Sequence, residues 1–237
     1  MDTIIHNLQH VQARIDKACQ AVGRDPKEVK LLLATKTVTP ERIQQALAAG
    51  YTLIAENKVQ ELKEKYEALK ATPHTNHFIG HLQTNKIKDI LKYDVSCVES
   101  LDRYDLAEKL HQKLSQAGRE MDVFIQVNTS GEESKFGVAP EEALALTQQV
   151  AQLPTLHIRG LMTIGLFSAE EDKVRKCFQL LKSIQQQIFA LNLPDVQPHE
   201  LSMGMSGDLE VAIAEGATIV RVGTAIFGER IYPDSYY

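Results

Sequence analysis

Cysteine is scarce. The 237 residues hold three, Cys19, Cys97 and Cys177, scattered with no paired spacing. That excludes a readable disulfide framework or a zinc site built on Cys pairs, and it suits a reducing compartment. No apolar stretch approaches the ~20 residues that a membrane span needs. Residues 1–15 are polar and amphipathic, without the apolar core of a signal peptide. Basic charge is not in excess either: Lys plus Arg number 26 against 31 Asp plus Glu, a formal net charge of -5. This balance argues against general nucleic-acid binding. No G-x-G-x-x-G follows a candidate strand, and neither a Walker sequence nor a Gly-x-Ser-x-Gly elbow is present. No cluster of His, Cys, Asp and Glu has metal-ligand spacing, so no metal is expected. These absences describe a soluble, cytoplasmic protein with no nucleic-acid or membrane partner.

What is present is an alternation. Short apolar runs at 31–35, 53–55, 78–79, 95–98, 123–127, 158–162, 201–202 and 219–222 read as strands. Between them, helical patterns cover 41–49, 58–69, 85–92, 102–116, 141–152, 169–191 and 209–215, with a further short turn of helix after Gly223. An amphipathic helix over about 2–22 precedes them all and stops at Gly23. Thr39 and Pro40 have the chemistry of a helix start, and Gly50, Gly118 and Gly216 that of helix ends. Eight strand–helix units imply a parallel sheet, and eight is the number that closes a (β/α)8 barrel. The length is near the ~250 residues typical of that fold, and a hydrophobic content of 43% suffices for one core. An open doubly wound sheet is the alternative. With no linker or composition shift, a single domain over 1–237 is expected, comprising an N-terminal helix within 1–23, the barrel, and a short tail at 229–237.

Barrel strands deliver their carboxyl ends to one face, where active sites sit. Lys36 closes the first apolar run. Burial there would lower its pKa and make the amine a nucleophile toward aldehydes; a lysine that has merely reached the surface is the plainer reading of this residue alone. At the other end of the chain, Arg221-Val222-Gly223-Thr224-Ala225-Ile226-Phe227-Gly228 follows the last strand. Here Gly223 leaves room for a phosphate, Thr224 offers a hydroxyl, and a short helix aims N–H groups at an anion. Leu201-Ser202-Met203-Gly204-Met205-Ser206 places Ser202 and Ser206 near the same phosphate, with Ser206 also able to cap the following helix. Asp208 fits a first helical turn and is given no ligand role. His81 has no local carboxylate partner and reads as a polar wall over the site. Lys86, Lys88 and Lys92 have the spacing of a solvated helix face. Residues 128–137 form either a mobile lid or a compact Ω-like loop.

Taken together, several motifs resemble one family. They are Ala34-Thr35-Lys36-Thr37, Ala55-Glu56-Asn57, the run from His77 to Lys86, Asn128 with Glu132, Lys135 and Gly137, Arg159-Gly160-Leu161-Met162-Thr163, and the two phosphate segments above. The set is similar to the pyridoxal phosphate homeostasis proteins, single-domain relatives of bacterial alanine racemase, and spans nearly the whole chain in the family's order. The resemblance implies a (β/α)8 barrel binding pyridoxal 5′-phosphate. Lys36 matches the lysine that forms the internal aldimine, and Arg221 the arginine facing the pyridine nitrogen. Ser206, Gly223 and Thr224 match the phosphate cup, with Ser202 and Met203 alongside, and Asn57 a residue beside the cofactor. Ala55 and Asn76 depart from the family's usual residues without touching those positions.

The expected function is therefore a monomeric pyridoxal-phosphate carrier in vitamin B6 and amino-acid or keto-acid homeostasis. Such a carrier has no robust catalysis of its own and has pyridoxal-phosphate-dependent apoenzymes as recipients. Two enzyme alternatives stand beside it: a weak amino-acid racemase or decarboxylase, and a Schiff-base aldolase acting through Lys36. Racemases of this kind draw a second base, a tyrosine, from outside the barrel. Tyr232, Tyr236 and Tyr237 lie in the short polar tail, where packing or exposure is the expected role.

Overall fold

A computed structural model describes residues 3–228. Eight parallel strands close into a barrel in chain order: β1 (Lys30–Ala34), β2 (Leu53–Glu56), β3 (Thr75–Phe78), β4 (Cys97–Leu101), β5 (Met121–Gln126), β6 (Leu156–Met162), β7 (Glu200–Ser202) and β8 (Ile219–Val222). Closure comes from β1 pairing with β8, with Leu32 opposite Arg221 and Leu33 opposite Val222. The open-sheet alternative is thereby excluded. The helices are α1 (Thr3–Ala21), α2 (Pro40–Ala48), α3 (Val59–Leu69), α4 (Ile87–Lys92), α5 (Tyr104–Ala117), α6 (Ala143–Val150), α7 (Glu171–Ala190), α8 (Leu209–Ala214) and α9 (Thr224–Phe227). Met1, Asp2 and the expected tail with Tyr232, Tyr236 and Tyr237 lie outside the described residues.

The main apolar layer sits between strands and helices, and α1 joins it through Ile4, Leu8, Val11 and Ile15, a spacing of three to four that makes one helical face. Placed there, α1 packs against α2, α8 and α9. Asn7 donates to the Ile226 carbonyl at 2.9 Å, and Arg14 donates to the Ser206 carbonyl at 3.0 Å while pairing with Glu210. The N-terminal helix thus ties down the loops that follow β7 and β8. A second, small apolar cluster, Leu32, Ala55, Cys97, Phe124, Met162 and Ile219, fills part of the barrel interior. The rest of that interior is polar.

Helix ends follow the expected chemistry with one exception. Pro40 occupies the first turn of α2, and Gly118 ends α5 in the left-handed conformation at φ 60°. Thr39 stands at the cap position of α2, but its side chain caps no backbone N–H. The loop at 128–137 is compact rather than loose. The Asn128 amide donates to the carbonyls of Glu132 and Lys135, Lys135 pairs with Glu132, and the Lys135 ammonium donates to the Gly165 carbonyl at 2.7 Å. Lys86, Lys88 and Lys92 are exposed, as their spacing predicts.

Candidate functional site

At the carboxyl ends of the strands a cavity of 530 Å³ opens, within the range of small-molecule sites. Lys36, Arg221, Ser206, Gly223 and Thr224 all line it. Lys36 is partly buried in a turn just after β1, and its neighbour Thr37 holds φ 61°, a left-handed conformation that costs a β-branched residue on the order of 1–3 kcal/mol. The strain is held by α3: the Thr37 N–H donates to both Glu61 carboxylate oxygens, at 3.0 and 2.8 Å. Behind it, Lys65 donates to Glu61, to Glu56 at 2.8 Å and to the Thr35 carbonyl at 2.8 Å. The residues on either side of Lys36 are therefore pinned by a buried ionic network whose members come from β2 and α3.

Arg221 points into the barrel from β8 and is 5% exposed. Its Nη1 donates to Ser202 Oγ at 2.8 Å and its Nη2 to the Thr163 carbonyl at 2.7 Å. Burial lowers its pKa, opposed by the carboxylates of Glu99 and Asp208. Just beyond β8 the hydroxyls of Ser206 and Thr224 meet at 3.2 Å, and the Ala225 N–H donates to Ser206 Oγ at 3.4 Å. Ser206 therefore contacts the start of α9 and not the start of α8, correcting the capping role expected for it. Gly223 is required by packing alone, since a Cβ there would lie 2.9 Å from the Ala34 carbonyl oxygen.

The other expected site residues are placed differently. Ser202 is fully buried behind Arg221 and does not line the cavity. Met203 is fully buried in the main apolar layer. Asn57 lines a neighbouring cavity together with His81. His81 does have an acid nearby, because Asp102 Oδ2 lies 3.8 Å from its Nδ1, and its ring stacks on Phe136 with centroids 3.9 Å apart.

Three contributors were not visible as site residues in the sequence. Arg42, on α2, lines the cavity and donates to the Phe227 carbonyl at 2.7 Å. A cationic residue on the expected helix after Lys36 was the available signal. Asp208 also lines the cavity. Burial raises its carboxyl, against the bond it accepts from the Met205 N–H and the charge of Arg221. Phe167, in the loop after β6, stands at the cavity 94% exposed. The result is a cavity with two guanidinium groups, the primary amine of Lys36 and one acid, and with two converging hydroxyls and a backbone N–H at one end. That donor set suits a phosphorylated carbonyl compound. Among the described residues no group of His, Cys, Asp and Glu could hold a metal ion, and no helix is long and apolar enough to cross a membrane.

Comparisons with known proteins place the chain in a family. The family model for the alanine racemase N-terminal domain matches residues 1–231. A pyridoxal phosphate homeostasis protein of Aquifex aeolicus is 44% identical over 228 residues, 95% of this chain and 97% of the relative. This chain belongs to the pyridoxal phosphate homeostasis protein family. The PipY protein of Synechococcus elongatus PCC7942, solved with PLP bound, superimposes with a TM-score of 0.79 at 32% identity, covering 90% of this chain and 100% of that one. An alanine racemase of Clostridium difficile 630 shares the fold at a TM-score of 0.78 and 14% identity, over 99% of this chain and 58% of the racemase.

Proposed function

We propose that the cavity binds pyridoxal 5′-phosphate and that the protein holds this cofactor for cellular homeostasis of vitamin B6 and of amino and keto acids. One observation carries the reading: a primary amine, a buried guanidinium and a hydroxyl pair beside a backbone N–H line the same 530 Å³ cavity. Lys36 would supply the amine that condenses with the cofactor's aldehyde, releasing water. Ser206, Thr224 and the backbone at Gly223 would take the phosphate, with Arg42 adding charge to the same wall. Arg221 would lie against the ring nitrogen. Ser202 acts from behind by accepting from Arg221. Met203 acts through packing, and Asn57 from the adjacent cavity. The likeness to PipY, solved with PLP bound, supports the ligand.

When bound, the cofactor supplies an electrophilic carbon and a conjugated ring able to take up electrons. The chain's own residues do little to exploit the ring. Arg221, cationic and buried, disfavours a proton on a nitrogen placed against it, because like charges repel. The names of the relatives describe homeostasis rather than catalysis. The reading is therefore a cytoplasmic, monomeric, single-domain carrier with pyridoxal-phosphate-dependent apoenzymes as its recipients.

The test is to load the protein with pyridoxal phosphate, record the visible band of the bound cofactor and reduce it with borohydride. Lys36→Ala should lose both band and adduct while keeping the fold. An adduct of unchanged stoichiometry in that variant would show the assignment to be wrong, and no band in the native protein would favour an aldolase. Loaded protein incubated with L-alanine in deuterium oxide should exchange its α-proton far below ~1 s⁻¹, the low end for ordinary enzymes. Turnover at that rate would overturn the non-catalytic reading, and D-alanine formed alongside the exchange would make the protein a racemase.

A further inference from the structure

Four polar residues of the barrel interior, Arg221, Ser202, Glu99 and His77, form a chain of hydrogen bonds whose directions are fixed by chemistry. Arginine has no acceptor, so Arg221 Nη1 donates to Ser202 Oγ at 2.8 Å. The Ser202 hydroxyl must then send its own proton onward, and Glu99 Oε2 stands 2.6 Å away to accept it. The other oxygen of Glu99 meets His77 Nδ1 at 2.6 Å. Glu99 and Ser202 are fully buried. None of the three residues behind Arg221 lines the cofactor cavity. His77 instead lines a separate cavity with Lys30, Cys97 and Glu200, each the first residue of its strand, so it opens at the amino end of the barrel. The chain thus crosses the interior from one end of the barrel to the other.

We infer that Glu99 is a positioning residue for cofactor binding: through Ser202 it neutralises and orients Arg221, and His77 holds it in place from the far end of the barrel. This assignment rests on pyridoxal phosphate being the ligand of the cavity. A buried guanidinium without a counter-charge is costly, because desolvation takes several kcal/mol from each ion. The Thr163 carbonyl gives Arg221 a partner but no charge. Asp208 is the other carboxylate acting on Arg221; it lines the cofactor cavity, and burial raises its pKa. Glu99 is the opposite case. Burial pushes its carboxyl up, yet the bond and charge from His77, the charge of Arg221 and the bond from Ser202 together hold it below its ordinary value. Glu99 therefore stays ionised and reaches Arg221 through the Ser202 hydroxyl, with His77 facing it from β3, Arg221 from β8 and the buried Cys97 thiol from β4. Its negative charge offsets the positive field that Arg221 would otherwise direct at the cofactor.

Glu99→Gln removes the charge and almost no volume. Its amide oxygen can accept from Ser202, and its NH₂ can donate to His77 in the other tautomer, so the chain stays satisfied. In the loaded variant the visible band of the bound cofactor should lose its proton at a lower pH, the midpoint falling by about one unit or more, a tenfold change in proton affinity. A purely structural role would lower thermal stability and leave that midpoint where it is. An unmoved midpoint in a folded variant overturns the inference. A second measurement needs neither the variant nor the cofactor. Carboxyl-labelled wild-type protein, unloaded, should show by ¹³C NMR a glutamate resonance that stays ionised from neutral pH to below the ordinary carboxylate range. The signal is assigned through its response to Ser202→Ala. A Glu99 carboxyl protonated at neutral pH overturns the inference even if Glu99→Gln does not fold. If the protein takes up no pyridoxal phosphate at all, the cofactor reading fails while the NMR arm still decides the charge of Glu99.

Discussion

Glu56 should give the protein a pH dependence that a single substitution can abolish. Its carboxyl is buried on β2, where Oε1 accepts from Thr35 Oγ1 at 2.6 Å and from Lys65 at 2.8 Å, while Oε2 is buried without a partner. Lys65 is shared with Glu61, so two carboxylates surround one ammonium. Burial is the largest influence and raises Glu56 from 4.5 to about 7, against the charge and bond of Lys65 and the bond from Thr35. The folded state therefore binds a proton that the unfolded chain has released over that interval. A raised carboxyl contributes stability that is fully present below about pH 4.5 and is lost as pH rises through about 7. At 1.36 kcal/mol per unit, the whole effect is about 3 kcal/mol. Glu56→Gln keeps an acceptor for Thr35 and Lys65 and removes the ionisation. The variant should match the wild type near pH 5 and exceed it by about 1–3 kcal/mol near pH 8, measured by urea unfolding with an unchanged m-value. The reasoning fails if the difference between the two proteins is flat with pH. It fails equally if Glu56→Gln is the less stable protein near pH 8, since the ionised pair with Lys65 would then be a net gain.

Removing the ammonium from the same network should be far more damaging. Lys65→Met leaves Glu56 and Glu61 without their cation, at a cost of about 3–5 kcal/mol in denaturant unfolding. Ser206→Ala and Thr224→Val should each weaken pyridoxal phosphate binding by about 1.5–3 kcal/mol, one to two decades in a fluorescence titration, and should leave the much weaker binding of unphosphorylated pyridoxal unchanged. Equal affinity of the wild type for the two ligands would remove the phosphate site altogether. Gly223→Ala should lower stability by about 1–3 kcal/mol even without ligand, because its Cβ would press on the Ala34 carbonyl of β1.

The strands that were easiest to read were those carrying an uninterrupted core of apolar residues or a regular apolar alternation. β8 has the expected bounds, 219–222, and β5 and β6 lie within two residues of theirs. β4 was expected at 95–98 and runs instead from Cys97 to Leu101, because Glu99 and Ser100 interrupt the apolar pattern while pointing into a polar interior or packing at a register shift. β3 was displaced for a related reason: Thr75, Asn76 and His77 look like loop residues yet pair with β2. The same two errors hid the chain behind Arg221, since Glu99 and His77 are the residues that broke the pattern. The cavity itself was largely legible, because Lys36, Ser206, Arg221, Gly223 and Thr224 each follow or end a strand. Arg42 and Asp208 reach the cavity from a helix and from a loop, and period alone does not say which way such side chains turn. The Glu56–Lys65–Glu61 network was invisible for a different reason: charged residues at helical spacing look solvated, and only the closure of α3 over β1 and β2 buries them.

All three cysteines are buried, and none lines the cavity around Lys36. A protein that handles an aldehyde thereby keeps its soft nucleophiles out of the ligand's reach, since thiols add to carbonyls as readily as amines do. Burial also raises the Cys19 and Cys97 thiols, which withholds the reactive thiolate. The three lie on different elements: Cys97 inside the barrel, Cys19 on the buried face of the N-terminal helix, and Cys177 on α7. They are consequently a built-in set of clocks. The order in which a thiol reagent reaches them measures whether α1 lifts away, α7 detaches or the barrel itself opens first, and ligand in the cavity should slow the barrel clock along with any motion that must precede release.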